Sequence, residues 1–494
     1  MKIIISMFLL IIVWGCSTSI KTPLEKNNFS KLTSYKEIIS FIHEVDNKSD
    51  LIKNEFFAVS AEGREIPVVK ISKDDFTSNN KIRVMIFAQQ HGDEQSGKEG
   101  ALLLIKEIAD GELDYLFDRL DILIIPQVNP DGSEKNRRRN ANGADLNRNH
   151  LILSETETVG LHNLFYKYLP DATLDVHEYS PYSEDWIEFG YLKNYDEQIG
   201  TLTNPNVSKN IIKIQKEQYL DYIQKYLKDK GVSSNEYLLG GPPGKHRMRY
   251  STIDVNDGRQ GFGILNSFSF IQEGKNGKDS IDNIKHRAFG QCEGMKGYLQ
   301  FLYERAEEIK SLVKIERDKL LNPLSDEKIV IRMEHVKGDS LVSVELKSIK
   351  AGKDTVFTVD DFNSKIETYL QVKKPKGYLI PKADSKLKTL LDEHHVQYFD
   401  FKLNENEKVV QYDIVGMNKS TEEDDEHYDP MVEEKNVTNF STEDYYFVSL
   451  NQLASNLIVI ALEPQSMLGI VQYDEYNYLL NHKIYPILKV VDVK

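Results

Sequence analysis

Apolar positions in the first third of the chain follow two spacings. Tyr35, Ile38, Ile39, Phe41 and Ile42 recur at helical intervals and predict an amphipathic helix over Thr33–His43. Glu55–Ala61 and Ile66–Ser72 then predict two strands around the turn Glu62-Gly63-Arg64. From there, short apolar runs at Arg83–Ala88, Asp121–Val128 and Ala172–Val176 alternate with helical patterns at Gly97–Ala109 and Val159–Tyr168. Such alternation predicts an α/β fold, with a mixed, largely parallel central sheet flanked by helices. Chemistry in sheets of this kind gathers beyond the carboxyl ends of the strands.

A charged helix predicted over Gly297–Leu320 leads into Leu321-Asn322-Pro323-Leu324-Ser325-Asp326, where the composition shifts. Beyond it, alternating stretches at Lys328–Glu334 and Leu341–Leu346 and a helix at Ser385–His394 predict a smaller, β-rich α+β domain. Within that domain the acidic run Glu422–Glu426 reads as a solvated loop, and His394 and His395, at a helix end, read as facing solvent. The expected organisation is a leader over 1–15, a tether over 16–29, a main domain over 30–320 and a C-terminal domain over 326–494.

With 494 residues, 40% of them apolar, the chain can fill more than one core. A formal charge of −15 argues against a nucleic-acid partner, which needs a basic face. Cys16 and Cys292 are the only cysteines, which excludes a disulfide framework and a multi-thiolate metal site, so any metal must be held by His and carboxylate. Lys2 and the apolar run Ile3–Trp14 have the anatomy of an export signal. Val13-Trp14-Gly15-Cys16 resembles a lipobox, which implies acylation of Cys16 and a lipid anchor on a bacterial envelope membrane; an ordinary signal peptide or an uncleaved anchor is the alternative. No later segment is apolar enough to cross a bilayer.

Four polar clusters follow the predicted strands. His91-Gly92-Asp93-Glu94 places an imidazole and a carboxylate three residues apart on a loop, a pair that could share a zinc ion. Asn129-Pro130-Asp131-Gly132 and the run Arg137–Asn149 collect guanidinium and amide groups suited to an anionic substrate. Asp175-Val176-His177-Glu178 ends one apolar strand in a histidine. Phe268–Gly274 carries Glu273 at the end of another, where a desolvated base of raised pKa is expected.

In order and context these segments resemble the M14 zinc carboxypeptidases, over roughly residues 30–305. The shared motifs are His-x-x-Glu, Asn-Pro-Asp-Gly, Asp-x-Asn-Arg, a strand-end His and a final Glu, with Ser60–Ile66 matching the strands that open the domain. The resemblance implies one Zn2+ held by His91, Glu94 and His177, with Asp145 buttressing a ligand histidine. It implies Glu273 as general base and Arg138 as the arginine that polarises the scissile carbonyl, with Arg139 left open by the triple arginine. Asn147 and Arg148 would grip a peptide's free terminal carboxylate, and Tyr250 would lie over the substrate. The implied activity is hydrolysis of the last peptide bond.

Two other functions are compatible with these residues. One is an envelope amidase, deacylase or peptidoglycan-trimming enzyme on the same scaffold. The other is a lipoprotein that binds peptides without cutting them, and the complete catalytic set weighs against it. The pocket for the terminal side chain is expected along Asp254–Gln260, where Asp257 and Arg259 pull specificity in opposite directions, and Gly240–His246 is expected to border the entrance.

Overall fold

A hairpin opens the central sheet. Strands β1 (Ile52–Val59) and β2 (Glu65–Ile71) run antiparallel through a turn in which Gly63 adopts φ +83°, a conformation open to glycine. Next come β3 (Ile82–Ala88), β4 (Leu120–Ile125) and β5 (Ala172–Tyr179), whose side chains are buried almost throughout. Burial on both faces is why these strands read as continuous apolar runs and not as alternating ones. This computed structural model describes residues 19–324, 326–437 and 440–493. The expected leader and Cys16 lie outside the described residues.

The sheet has eight strands in the order β1, β2, β4, β3, β5, Phe268–Lys275, Glu197–Gly200, Ser234–Glu236. Its middle four strands, from β4 to Phe268–Lys275, are parallel, and antiparallel pairs join β1 to β2, β2 to β4 and Phe268–Lys275 to Glu197–Gly200. The helix Gln95–Ala109 packs tightly on Ile284–Glu304: a Cβ on Gly100 would stand 2.7 Å from that of Gln291. The single helix expected over Gly297–Leu320 is two, Ile284–Glu304 and Ala306–Leu321, broken at Arg305. Past the break Ile309, Val313 and Leu320 are buried, so the turn keeps the second helix's apolar face on the core.

The C-terminal region is β-rich. Lys328–Val336 pairs with Lys365–Lys373, and Val342–Ser348 pairs both with Asp354–Val359 and with Tyr191–Lys193 of the preceding domain. A six-stranded sheet contains the long hairpin Glu407–Glu422/Asp425–Val437. The composition shift near residue 321 does not interrupt the interior: Ile329, Ile331, Met333, Leu457 and Ile460 belong to one apolar cluster with β3, β4 and β5.

Three sequence expectations change here. The tether expected over 16–29 is packed from Ser19 onward: Ile20 and Leu24 are buried, Thr22 caps the short helix Pro23–Lys26, and the Ser19 hydroxyl donates to Asp110 over 2.7 Å. The acidic run Glu422–Glu426 forms the tip of the long hairpin, with Glu422 and Glu423 buried. Partners from distant segments make that burial possible, because Arg332 Nη1 lies 2.6 Å from Glu422, while His335 Nδ1 and Arg249 Nε each lie 2.9 Å from Glu423. His394, expected at the surface, is 5% exposed and its Nε2 is 2.7 Å from the Leu151 carbonyl oxygen. Among the described residues no helix is long and apolar enough to cross a membrane.

Candidate metal centre and active site

Parallel strand ends and one loop assemble the centre. The chain leaves β3 at Ala88, and the loop carrying His91 is tied down where Gly92 N donates to Arg138 O over 3.1 Å. Glu94 stands at the cap position of the helix Gln95–Ala109. Strand β5 brings Asp175 and His177, two residues apart and therefore on the same face. The neighbouring strand Phe268–Lys275 pairs with β5 in a register that sets Glu273 opposite His177, again on a shared face.

His91, Glu94 and His177 are all buried, and each offers a ligand atom within 4.8 Å of the others. Glu94 Oε1 is 2.7 Å from His91 Nδ1, Glu94 Oε2 is 2.9 Å from His177 Nδ1, and the two Nδ1 atoms are 3.1 Å apart. The outer nitrogens face carboxylates: His91 Nε2 is 3.0 Å from Asp145, and His177 Nε2 is 2.8 Å from Asp175. With Nε2–H given to an aspartate, each imidazole turns its Nδ1 inward, and that nitrogen can bind a metal once it has given up its proton.

This donor set fits zinc. Tetrahedral coordination with Zn–N bonds of about 2.0–2.1 Å puts ligand atoms roughly 3.3 Å apart, close to the separations seen here. Two bare ring nitrogens 3.1 Å apart repel each other unless a proton or a cation stands between them, and the Glu94 carboxylate favours positive charge at that point.

The site's electrostatics follow from burial and these pairings. Burial works against protonation of His177, yet Asp175 and Glu94 outweigh it and raise its pKa well above the ordinary histidine value. Burial likewise opposes ionisation of Glu94 and Asp145, but the facing histidines hold both well below the usual carboxylate range. Glu273 is different. Burial dominates and pushes it up to about 7, with His177 opposing and Glu94 adding to the rise, so its carboxyl is poised to exchange a proton near neutrality.

Of the three consecutive arginines, Arg138 reaches the centre: its Nε and Nη2 lie 3.0 and 2.9 Å from Asp145 Oδ2, and Nη1 lies 3.6 Å from Glu94. Arg139 turns away to donate to the Gly143 carbonyl. Asn147 is buried inside the network, accepting from Gly258 N and Gln90 Nε2 through Oδ1. Arg148 points outward into a cavity of about 320 Å3 that it lines together with Asp254, Asn256, Asp425, Glu426 and His427. The last three come from the tip of the C-terminal hairpin.

Tyr250 is placed against Phe362 at a ring separation of 4.7 Å, in an apolar cluster with Trp186, Leu238 and Met248. The phenol beside Glu273 is instead Tyr237, whose pKa burial and the nearby Glu273 carboxylate raise well above the ordinary tyrosine value. Asp257 and Arg259, expected to compete for specificity, neutralise each other at 3.0 Å in the interior. Sequence reasoning missed Asp175, Tyr237 and Gln90. Period two along β5 could have found Asp175, since it must face the same way as His177; no local pattern marks the other two.

Comparison with known proteins bears on the segment that carries the first ligands. Residues 38–182 match the zinc carboxypeptidase family, Peptidase M14. The matched segment contains His91, Glu94, Asp145 and His177. Carboxypeptidase 2 of Trichophyton rubrum is 23% identical over 340 residues, 65% of this chain and 61% of that protein. A zinc carboxypeptidase of Saccharothrix mutabilis subsp. capreolus is 29% identical over 136 residues, covering 24% of this chain and 31% of the relative. The chain thus spans less than two thirds of the curated relatives it matches. Among solved structures, a metallo-carboxypeptidase from Burkholderia cenocepacia aligns over 56% of this chain and 70% of its own, with 18% identity and a TM-score of 0.44.

Proposed function

We propose that this protein is a zinc-dependent carboxypeptidase that removes the terminal residue of peptides bearing a free carboxylate. The observation that carries this reading is the convergence of His91, Glu94 and His177, each histidine backed by its own aspartate, beside a buried glutamate whose pKa is near 7. Zinc, when bound, supplies a Lewis acid and lowers the pKa of a ligated water from about 15.7 toward about 7. Glu273 takes the proton of the attacking water on its carboxylate and returns it to the leaving amide nitrogen, with the Tyr237 phenol as its neighbour. Arg138 offers guanidinium N–H donors to the charge that develops on the scissile carbonyl oxygen; loss of one such donor typically costs about 3 kcal/mol of barrier.

Arg148 is the group for the substrate's terminal carboxylate, which guanidinium binds bidentately. Its cavity sets that one cation against Asp254, Asp425 and Glu426. This balance favours a terminal residue whose carboxylate meets Arg148 and whose side chain is positively charged. The decisive assay is mass spectrometry of a peptide panel differing only in the last residue, with and without chelator. Single-residue loss that stops on metal removal supports the reading; internal cleavage, or turnover indifferent to chelator, refutes it.

The lipobox-like Val13–Cys16 supports a second element of the proposal, a lipid anchor on Cys16 that holds the enzyme at an envelope membrane. Metabolic labelling with a fatty-acid probe should mark the wild-type chain and not Cys16→Ala; equal labelling of both would remove the anchor from the proposal.

A further inference from the structure

Behind His177 a chain of hydrogen bonds runs through the interior to the C-terminal region. The Gln90 side chain has one amide end within reach of three acceptors, at 3.0 and 2.9 Å from the two Asp175 oxygens and 3.1 Å from Asn147 Oδ1. That end must be the NH2 group, because a carbonyl there would face three oxygens. The Gln90 oxygen therefore points the other way, to His150 Nε2 at 2.8 Å, and this nitrogen carries the proton.

The assignment then propagates. With its proton on Nε2, His150 has a bare Nδ1, which must accept, and His162 Nε2 lies 3.1 Å away to donate. His162 Nδ1, left bare, has no hydrogen-bond partner among the described residues, and the same holds for His394 Nδ1. His394 closes the series from the C-terminal region: its ring meets that of His162 edge-on at 5.5 Å, and its Nε2 binds the carbonyl of Leu151, the residue after His150. Burial lowers the pKa of His150 to about 4 and that of His162 well below its ordinary value, so both rings stay neutral and keep one donor and one acceptor each.

We propose that His150, backed by His162 and by His394 of the C-terminal region, is a positioning residue for the metal centre. Its Nε2–H locks the Gln90 amide so that Gln90 holds Asp175, and Asp175 holds His177 with Nδ1 turned to the ion. The proposal rests on the reading above that zinc sits among His91, Glu94 and His177. Without the His150 donor the buried Gln90 oxygen loses its hydrogen-bond partner, so the side chain is no longer held from that end and its hold on Asp175 loosens. The C-terminal region is on this account part of the catalytic machinery's support, because His394 covers the far end of the series.

Two substitutions separate positioning from packing. His150→Phe keeps the ring volume and the contact with Phe262, at 5.5 Å in the native structure, but cannot donate. His150→Gln loses the ring and keeps a donor. Zinc dissociation constants measured by competition with a chelating dye should rise about tenfold for His150→Phe, the lower end of what outer partners of a metal ligand contribute, and by less than threefold for His150→Gln. In the same preparations kcat should fall for His150→Phe while KM for the peptide stays unchanged. Gln90→Met removes the amide itself and should weaken zinc as much as His150→Phe without disturbing the histidines, so it carries the test if the ring variant misfolds. The reverse order, with Phe tolerated and Gln damaging, would mean packing and overturn the proposal. Equal zinc affinity in wild type, His150→Phe and Gln90→Met would also overturn it, while a wild-type protein that binds no zinc would overturn the metal-centre reading on which it stands.

Discussion

Gly92 lies between a ligand and the loop that brings Arg138 to the centre, and replacing its hydrogen with a methyl group gives a calculable result. An ideal Cβ at Gly92 would stand 2.2 Å from the Gly132 carbonyl carbon, 2.4 Å from Ser133 N and 2.6 Å from Arg137 O. All three are backbone atoms, so no side chain can swing aside. The first contact is 1.2 Å inside the 3.4 Å at which ordinary contact begins, so the segments Gln89–Glu94 and Asn129–Arg139 must separate by about that distance. Overpacking of a well-filled interior costs about 1–3 kcal/mol, and a clash with three fixed atoms belongs at the upper end. The functional effect is larger, because zinc sites tolerate distance errors of only about ±0.2 Å and a misplacement of about 1 Å lowers turnover on the order of a hundredfold. Gly92→Ala should therefore lose about 3 kcal/mol in urea unfolding, bind zinc at least tenfold more weakly in a chelator competition, and turn over at about 1% of wild type. A variant with native denaturation midpoint and native zinc affinity would refute the steric argument.

Three further outcomes follow from the same geometry. Glu273→Gln keeps the side-chain shape and leaves the three ligands untouched, so bound zinc should remain stoichiometric while kcat falls by about 10²–10⁴-fold; activity within tenfold of wild type would remove Glu273 from the base role. Replacing Asp425 and Glu426 together with Asn and Gln should shift kcat/KM away from peptides ending in Lys or Arg by about tenfold relative to those ending in Leu, with kcat for the Leu peptides little changed; an unaltered ratio would separate the hairpin tip from substrate selection. Burial works against ionisation of Glu423, but His335 and Arg249 hold its carboxyl below the ordinary value of 4.5, so its contribution to docking the hairpin is full above pH 4.5 and is lost as pH falls through its depressed folded pKa. Protection factors for amide exchange across residues 417–427, taken relative to the intrinsic rate at each pH, should fall over that acid range, and equal protection at pH 6 and pH 3 would contradict the assignment.

Residue spacing alone carries much of the main domain. The strands near Arg83–Ala88 and Ala172–Val176 and the helix over Gly97–Ala109 are legible because period two, unbroken apolar runs and period 3.6 are properties of neighbouring residues. The candidate ligands are legible for a related reason: His91 and Glu94 sit three residues apart on one loop, and His177 and Glu273 each end an apolar strand. What places those two side by side is the pairing register of β5 with Phe268–Lys275, and register is a tertiary choice.

The fates of charged and titratable groups were decided by the fold. Glu422 and Glu423 read as solvated because their partners Arg332, His335 and Arg249 lie about 90 to 170 residues away, and burial of a carboxylate depends on whether such a partner arrives. Asp257 and Arg259 look like rival specificity groups in the linear chain, yet their salt bridge cancels both. His394 looks exposed until the C-terminal region docks its ring on His162. Local pattern determines which element a segment forms, because a helix or strand is set by bonds and side chains within a few residues. Which polar groups are buried, paired and oriented toward a metal is decided only when distant elements meet, because desolvation and Coulomb energy depend on neighbours in space.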